Sequence, residues 1–212
     1  MAKSRPTLLT ATLSAAAVLG YLSYRWLAPA PRAAGVEAPT ATQNPSEPTA
    51  STERRTSETL PDFSLGNLAG EQQSIQSWPG KPLLINFWAT WCAPCLREIP
   101  MLKELQAARS DLQIVGIAID KRDPVVEFAA DIEFNYPILI GQSEAWAAAA
   151  ALGVNIYALP FTIFTAADGS ILGAHTGELH AEHLETFRSV VDDLAARRID
   201  LEEARSRIAG RI

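Results

Sequence analysis

Cysteine is scarce in this 212-residue chain, with two residues in all, Cys92 and Cys95. That excludes a small domain stapled by several disulfides. Methionine is as sparse, only Met1 and Met101, which argues against a methionine-rich carrier of a soft metal ion. Twelve glycines without a period rule out a collagen, and the strong charge bias of a wholly disordered chain is missing. Positive charge is also in deficit, with 18 Lys and Arg against 24 Asp and Glu. From Leu60 onward there are 12 basic side chains against 20 acidic ones and no Lys/Arg stripe. Nucleic acid is therefore no partner, because phosphate binding needs clustered cations to displace counterions.

Long apolar runs are confined to the start of the chain. Lys3 and Arg5 precede an apolar stretch from Thr7 to Tyr24. It reaches the roughly 20 residues needed to span a bilayer only by continuing past Arg25 through Trp26 to Ala30. Residues 1–28 are thus expected to be a membrane anchor or signal segment. Ala28-Pro29-Ala30 has the small-residue shape of a cleavage site, but Pro31 follows it and should impede cleavage, which favours an uncleaved anchor. Flanking charge does not orient it, since Arg25 and Arg32 offset Lys3 and Arg5. Residues 29–59 are rich in Ala, Pro, Ser, Thr and Glu without apolar periodicity, and are expected to form a disordered linker.

Residues 60–198 read as an α/β domain. Pro82 to Trp88 (PLLINFW) is a continuous apolar run of strand length, expected to be buried on both faces. A helix follows from Cys92, with Leu96, Ile99, Leu102 and Leu105 as its apolar stripe and Pro100 as a kink. Leu112 to Ile119 is a second buried strand. Asp123 is expected to cap the next helix with Pro124 at its first position, and Ser143 to cap an alanine-rich helix. Tyr136 to Ile140 is a short strand. Phe161 to Thr165 should pair with Ile171 to Ala174 across Asp168-Gly169, before a helix bearing Leu184, Phe187, Val191 and Leu194. The sheet is therefore mixed, parallel in part and closed by an antiparallel hairpin. Residues 199–212 form a tail in which Leu201, Ala204 and Ile208 suggest a short helix docking on the domain or on a partner.

Both cysteines lie in one WCAPC pentapeptide directly after the first buried strand. Three chemistries fit that spacing. In a redox pair, Cys92 at a helix start meets the positive end of the helix dipole, which favours the thiolate that attacks a disulfide. Cys95, one turn on, then closes onto it. A zinc half-site would need two further ligands, and only His175, His180 and His183 are available, all expected at the surface. A structural disulfide would close a four-residue loop and stabilise little. Covalent haem attachment in its usual form is excluded, because Leu96 stands where a histidine is required.

FWATWCAPC after a buried strand, with Glu98 and Pro100 beyond it, resembles the thioredoxin superfamily, in particular the TlpA/ResA/DsbE-like membrane-anchored thiol-disulfide oxidoreductases of the bacterial periplasm. Leu60 to Leu65 is similar to that group's first strand, and Asn155 to Thr162 to its segment around a cis-proline. The resemblance implies a thioredoxin-like fold, a central four- or five-stranded mixed sheet flanked by helices, with the active site at the end of a central strand. It also implies an inner-membrane, single-pass protein with its catalytic domain in the periplasm. No cofactor or metal ion is implied. The partners implied are a disulfide-bearing protein substrate and a membrane thiol-electron transporter.

On this resemblance Cys92 is the nucleophile and Cys95 the resolving cysteine of a redox-active disulfide. Trp91, Ala93, Pro94, Leu159 and Pro160 would contact substrate, with Trp91 also covering the first sulfur and Leu159 offering its backbone. Trp88 and Phe87 are expected in the core, Ala89 and Thr90 as spacers. Asn86 stands where thioredoxin carries a buried aspartate, so the usual acid is missing. Glu98, three residues past Cys95 and on the same helix face, is expected to accept the Cys95 proton or hold thiol pKa values up; the alternative is a solvated helix glutamate. Ala93 and Pro94 offer no charge to stabilise a thiolate, so the chain leans towards a reductase of protein disulfides, of the cytochrome c maturation or metal-site assembly type. A periplasmic oxidant or isomerase and a non-enzymatic thiol metal chaperone are the alternatives.

Overall fold

The computed structural model of the protein describes residues 58–152 and 157–212. The expected membrane segment and nearly all of the expected linker lie outside the described residues, as do Asn155 and Ile156. Among the described residues no helix is long and apolar enough to cross a membrane.

In chain order the elements are β1 (Ser64–Asn67), β2 (Gln72–Ser74), β3 (Leu83–Trp88), α1 (Ala93–Ala108), β4 (Gln113–Ile119), α2 (Arg122–Ile132), β5 (Ile138–Gly141), α3 (Ser143–Ala151), β6 (Phe161–Thr165), β7 (Ile171–Thr176), α4 (Ala181–Ala195) and α5 (Leu201–Arg211). The strands form one sheet in the order β2-β1-β5-β4-β3-β6-β7. β3 pairs parallel with β4, and β4 parallel with β5. β6 runs antiparallel to β3 and pairs antiparallel with β7. The four or five strands expected correspond to the core β5-β4-β3-β6-β7, and the first strand expected over Leu60 to Leu65 forms later, as Ser64–Asn67. Among the described residues the sheet has seven strands, because the β1–β2 hairpin adds antiparallel to β5. β2 escaped the sequence reading because Gln72-Gln73-Ser74 is short and entirely polar.

β3 and β4 are buried along their whole length, as continuous apolar runs require when both faces of a sheet are covered. Alternation along β3 sends Leu84, Asn86 and Trp88 to one face and Leu83, Ile85 and Phe87 to the other. Leu84 and Trp88 join Ile99, Leu102 and Leu105 of α1, Leu184, Phe187 and Val191 of α4, and Ala204 and Ile208 of α5 in one core. On the other face Ile85 and Phe87 pack with Leu65, Ile75, Val115, Ile117 and Ala145 and Ala149 of α3. Gly173 of β7 lets α5 come close, since a Cβ there would lie 2.6 Å from Ile208 Cγ2. The expected tail helix therefore docks on the domain itself.

Two helix starts differ from expectation. The N-cap of α2 is Lys121, so Asp123 and Pro124 fall inside the first turn, and Gln142 precedes α3, so Ser143 is its first residue and bonds Glu144. Asp123 can act on the helix dipole from within the first turn without capping it. At the far end of the sheet from Trp88, the chain joins the domain by hydrogen bonds. Leu60 N–H donates to Gly169 O (2.9 Å), Ile171 N–H donates to Glu58 O (2.9 Å), and Thr59 bridges Ser170.

Candidate active site around Cys92 and Cys95

Beyond Trp88 the chain turns so that Cys92 N–H donates to Ala89 O (3.1 Å), and Cys92 becomes the N-cap of α1. Pro94 suits the first helical turn, where an N–H would have no intrahelical acceptor. Cys92 and Cys95 are joined by a disulfide, with Cα atoms 5.3 Å apart. Cys92 is nearly buried and Cys95 completely so. Ala93 is exposed and Pro94 half-buried beside them, and Trp91 is 70% exposed.

Thr90 is more than a spacer. Its N–H and Oγ1 both donate to Asp120 Oδ2, at 3.1 and 2.5 Å, while Lys121 N–H donates to Asp120 Oδ1 at 2.7 Å. Parallel pairing of β3 with β4 brings Asp120, just past the end of β4, beside the turn that follows β3. That carboxylate ties the turn ahead of Cys92 to the sheet.

Glu98 is not solvated: it is 1% exposed, on the buried face of α1 with Cys95. Asn86 Nδ2 donates to Glu98 Oε1 (2.7 Å) and to Thr162 Oγ1 (3.1 Å), and Leu179 N–H donates to Glu98 Oε2 (2.7 Å). Both carboxyl oxygens are thus met by neutral donors. The neighbouring Arg97 turns outward to Glu178, Nε lying 3.1 and 3.0 Å from the two carboxylate oxygens and Nη2 closing the pair. Burial pushes the Glu98 carboxyl up from 4.5 to about 7, against the pull of the Leu179 and Asn86 hydrogen bonds, and the Glu178 charge adds to the rise. Tyr136 is also raised, by burial first and then by the Glu98 charge. A buried acid thus stands on the helix, hydrogen-bonded to Asn86 of β3.

The Leu159–Pro160 peptide bond is cis. Pro160 is buried directly before β6, Leu159 is half-buried, and Pro160 O accepts from Gly177 N–H (2.9 Å). The segment 177–180 between β7 and α4 therefore binds the proline through Gly177, Arg97 through Glu178, and Glu98 through Leu179. Sequence reasoning missed Leu179 and Thr162, which lie 81 and 76 residues from their partners Glu98 and Asn86 and contribute in part through main-chain atoms. His175 and His183 are half-buried and His180 is exposed. Among the described residues no group of three His, Cys, Asp or Glu could hold a metal ion. A cavity of about 790 Å³ lies at the other end of the sheet, between Pro82, Ala166, Val191, Leu194 and Leu201, and takes no residue from the disulfide region.

Comparison with protein families matches residues 55–194 to redoxin. The thioredoxin-like protein YneN of Bacillus subtilis is 35% identical over 130 residues, which are 59% of this chain and 74% of the relative. The thiol-disulfide oxidoreductase ResA of Geobacillus kaustophilus is 31% identical over 130 residues, 60% of this chain and 72% of that protein. Among solved structures, a thiol:disulfide interchange protein DsbE described as putative, from Chlorobium tepidum, superposes with a TM-score of 0.57 at 23% identity, covering 63% of this chain and 95% of its own.

Proposed function

This chain belongs to the redoxin family and is a thiol-disulfide oxidoreductase of the ResA/DsbE type, and from that premise we propose that it reduces protein disulfides outside the cytoplasm. In this reading residues 1–28 hold it at the inner membrane, residues 29–59 are the linker, and the domain from Leu60 works in the periplasm. A membrane thiol transporter reloads it with electrons. Its substrates are proteins of cytochrome c maturation or of metal-site assembly.

The observation that carries the reducing direction is the buried Glu98 beside Cys95, paired with neutral donors and no cation. A dithiol poised as an oxidant is one whose thiolate is stabilised. An acid in low-dielectric surroundings on the same helix face opposes that anion, and Ala93-Pro94 does nothing to restore it. Cys92 thiolate attacks one sulfur of the substrate disulfide, the other sulfur leaves as a thiolate, and a mixed disulfide forms. Cys95 then passes its proton to Glu98 and attacks Cys92 Sγ, and the second substrate sulfur leaves. The substrate has gained two electrons and takes up two protons, and the Cys92–Cys95 disulfide has formed. Trp91, Ala93, Pro94 and the Leu159–Pro160 edge receive the substrate chain, with Leu159 offering main-chain pairing.

The test is the reduction potential of the full-length protein, from equilibration in thiol buffers followed by tryptophan fluorescence. The reading expects a value near or below about −250 mV, in the range of thioredoxin. A value of about −120 to −180 mV, in the range of oxidants and isomerases, would reverse the direction of electron flow.

A further inference from the structure

All three histidines of the chain converge on one spot. The rings of His175 on β7 and His183 on α4 lie 4.6 Å apart between centroids, and those of His180 and His183 5.5 Å apart. His183 is the central member. Its Nδ1 accepts the main-chain N–H of His180, the N-cap of α4, at 3.0 Å. In a capping box, the third residue of a helix reaches back in this way with a Glu or Gln side chain. Here an imidazole does it, and only an imidazole without a proton on Nδ1 can accept.

What that hydrogen bond holds is the segment 177–180. His180 follows Leu179, whose N–H donates to Glu98, and the same short segment gives Gly177 N–H to Pro160. We propose that His183 is a positioning residue: neutral, it latches the segment 177–180 onto Glu98 and the cis-proline edge, and protonated, it releases them. The inference rests on the role given above to Glu98 and Pro160.

The surroundings set the sign. Burial lowers the His183 pKa, as do the positive potentials of His175 and His180, while Glu182 raises it. His175 Nδ1 lies 2.6 Å from the main-chain oxygen of Ile212, which only accepts, so that nitrogen carries the proton. Glu178, in the latched segment, is occupied by Arg97 of α1. The helix N-terminus adds to the forces against a cation at His183. The latch is therefore closed at neutral pH and opens as the pH falls below the ordinary imidazole value of about 6.5. A protonated ring would then turn an N–H towards the His180 N–H.

The experiment follows the Leu179 amide of the oxidised, full-length chain by NMR shift and hydrogen exchange between pH 4.5 and 8.5. In the wild type two proton-linked steps are expected, one from Glu98 near pH 7 and a more acidic one from His183. His183→Gln, which can cap without titrating, should keep the amide protected and lose the acidic step. His183→Ala should raise Leu179 exchange by about tenfold at neutral pH, the ordinary effect of losing a cap. Glu98→Gln should remove the upper step and leave the lower. An acidic step that persists in His183→Gln, or an unchanged exchange rate in His183→Ala, overturns the proposal. Failure of Glu98 as proton acceptor would show instead as an unchanged rate of mixed-disulfide resolution in Glu98→Gln, with the acidic Leu179 step intact.

Discussion

Replacing Glu98 by glutamine should make the oxidised protein more stable above neutral pH. Raising the carboxyl from 4.5 to about 7 corresponds to about 3 kcal/mol by which folding disfavours the anion. Between those values the native state holds a proton that the unfolded chain releases. Stability contributed at this site is thus greatest below pH 4.5, falls as the pH rises towards 7, and is level beyond. Glutamine has the same shape and no charge, and the contacts that hold Glu98 can be replaced. The oxygen of the new amide would accept from Leu179 N–H, and its nitrogen would donate to an Asn86 amide turned so that the Asn86 oxygen also accepts from the Thr162 hydroxyl. Urea unfolding of both oxidised proteins from pH 4 to 8.5 gives the difference directly, with other titrating groups cancelling. With a slope of about 2 kcal/mol per M, the midpoint of the variant should gain about 1.5 M on the wild type across that range. Parallel curves, or a variant that loses ground as pH rises, would refute the claim that burial governs this carboxyl.

Cys92→Ser should abolish turnover of a disulfide substrate, whereas Cys95→Ser should accumulate mixed disulfides on non-reducing gels; turnover surviving in the first and nothing trapped by the second would remove the assigned order of attack. Asp120→Ala should cost about 1–3 kcal/mol in urea unfolding, because Thr90 loses two hydrogen bonds to a charged acceptor. Thr90→Val should cost less, since its N–H keeps that acceptor, and equal costs would contradict the geometry. Gly173→Ala should destabilise by about 1–3 kcal/mol through overpacking against Ile208. In an Ile208→Ala background the same change should be nearly neutral, and a cycle without coupling would show that the two sites do not press on each other.

The elements legible in the sequence are those whose burial writes an unambiguous pattern. β3 and β4 are apolar on both faces, and α4 carries Leu184, Phe187 and Val191 at helical spacing. Helical period alone places Glu98 on the face of Cys95. Its burial was not visible, because what makes an acid tolerable there is Asn86 on a neighbouring strand and a main-chain N–H 81 residues away. Thr90 looked like filler because its partner Asp120 meets it only through the parallel register of β3 and β4. The histidines looked like surface residues for the same reason: a strand end and a helix start come together only when the β7–α4 connection closes. β2 left no signal, since polar strands at a sheet edge bury too little to show a period.

The place where the chain joins the domain has a mechanical consequence. Glu58 and Leu60 are hydrogen-bonded to Ile171 and Gly169 at the pole opposite Cys92. A pull on the preceding residues would peel these bonds one after another from the outer β6–β7 hairpin. The parallel β3–β4 pair and the turn that carries the cysteines take no part in these bonds, so the grip on the leading residues and the sulfur geometry rest on separate sets of contacts.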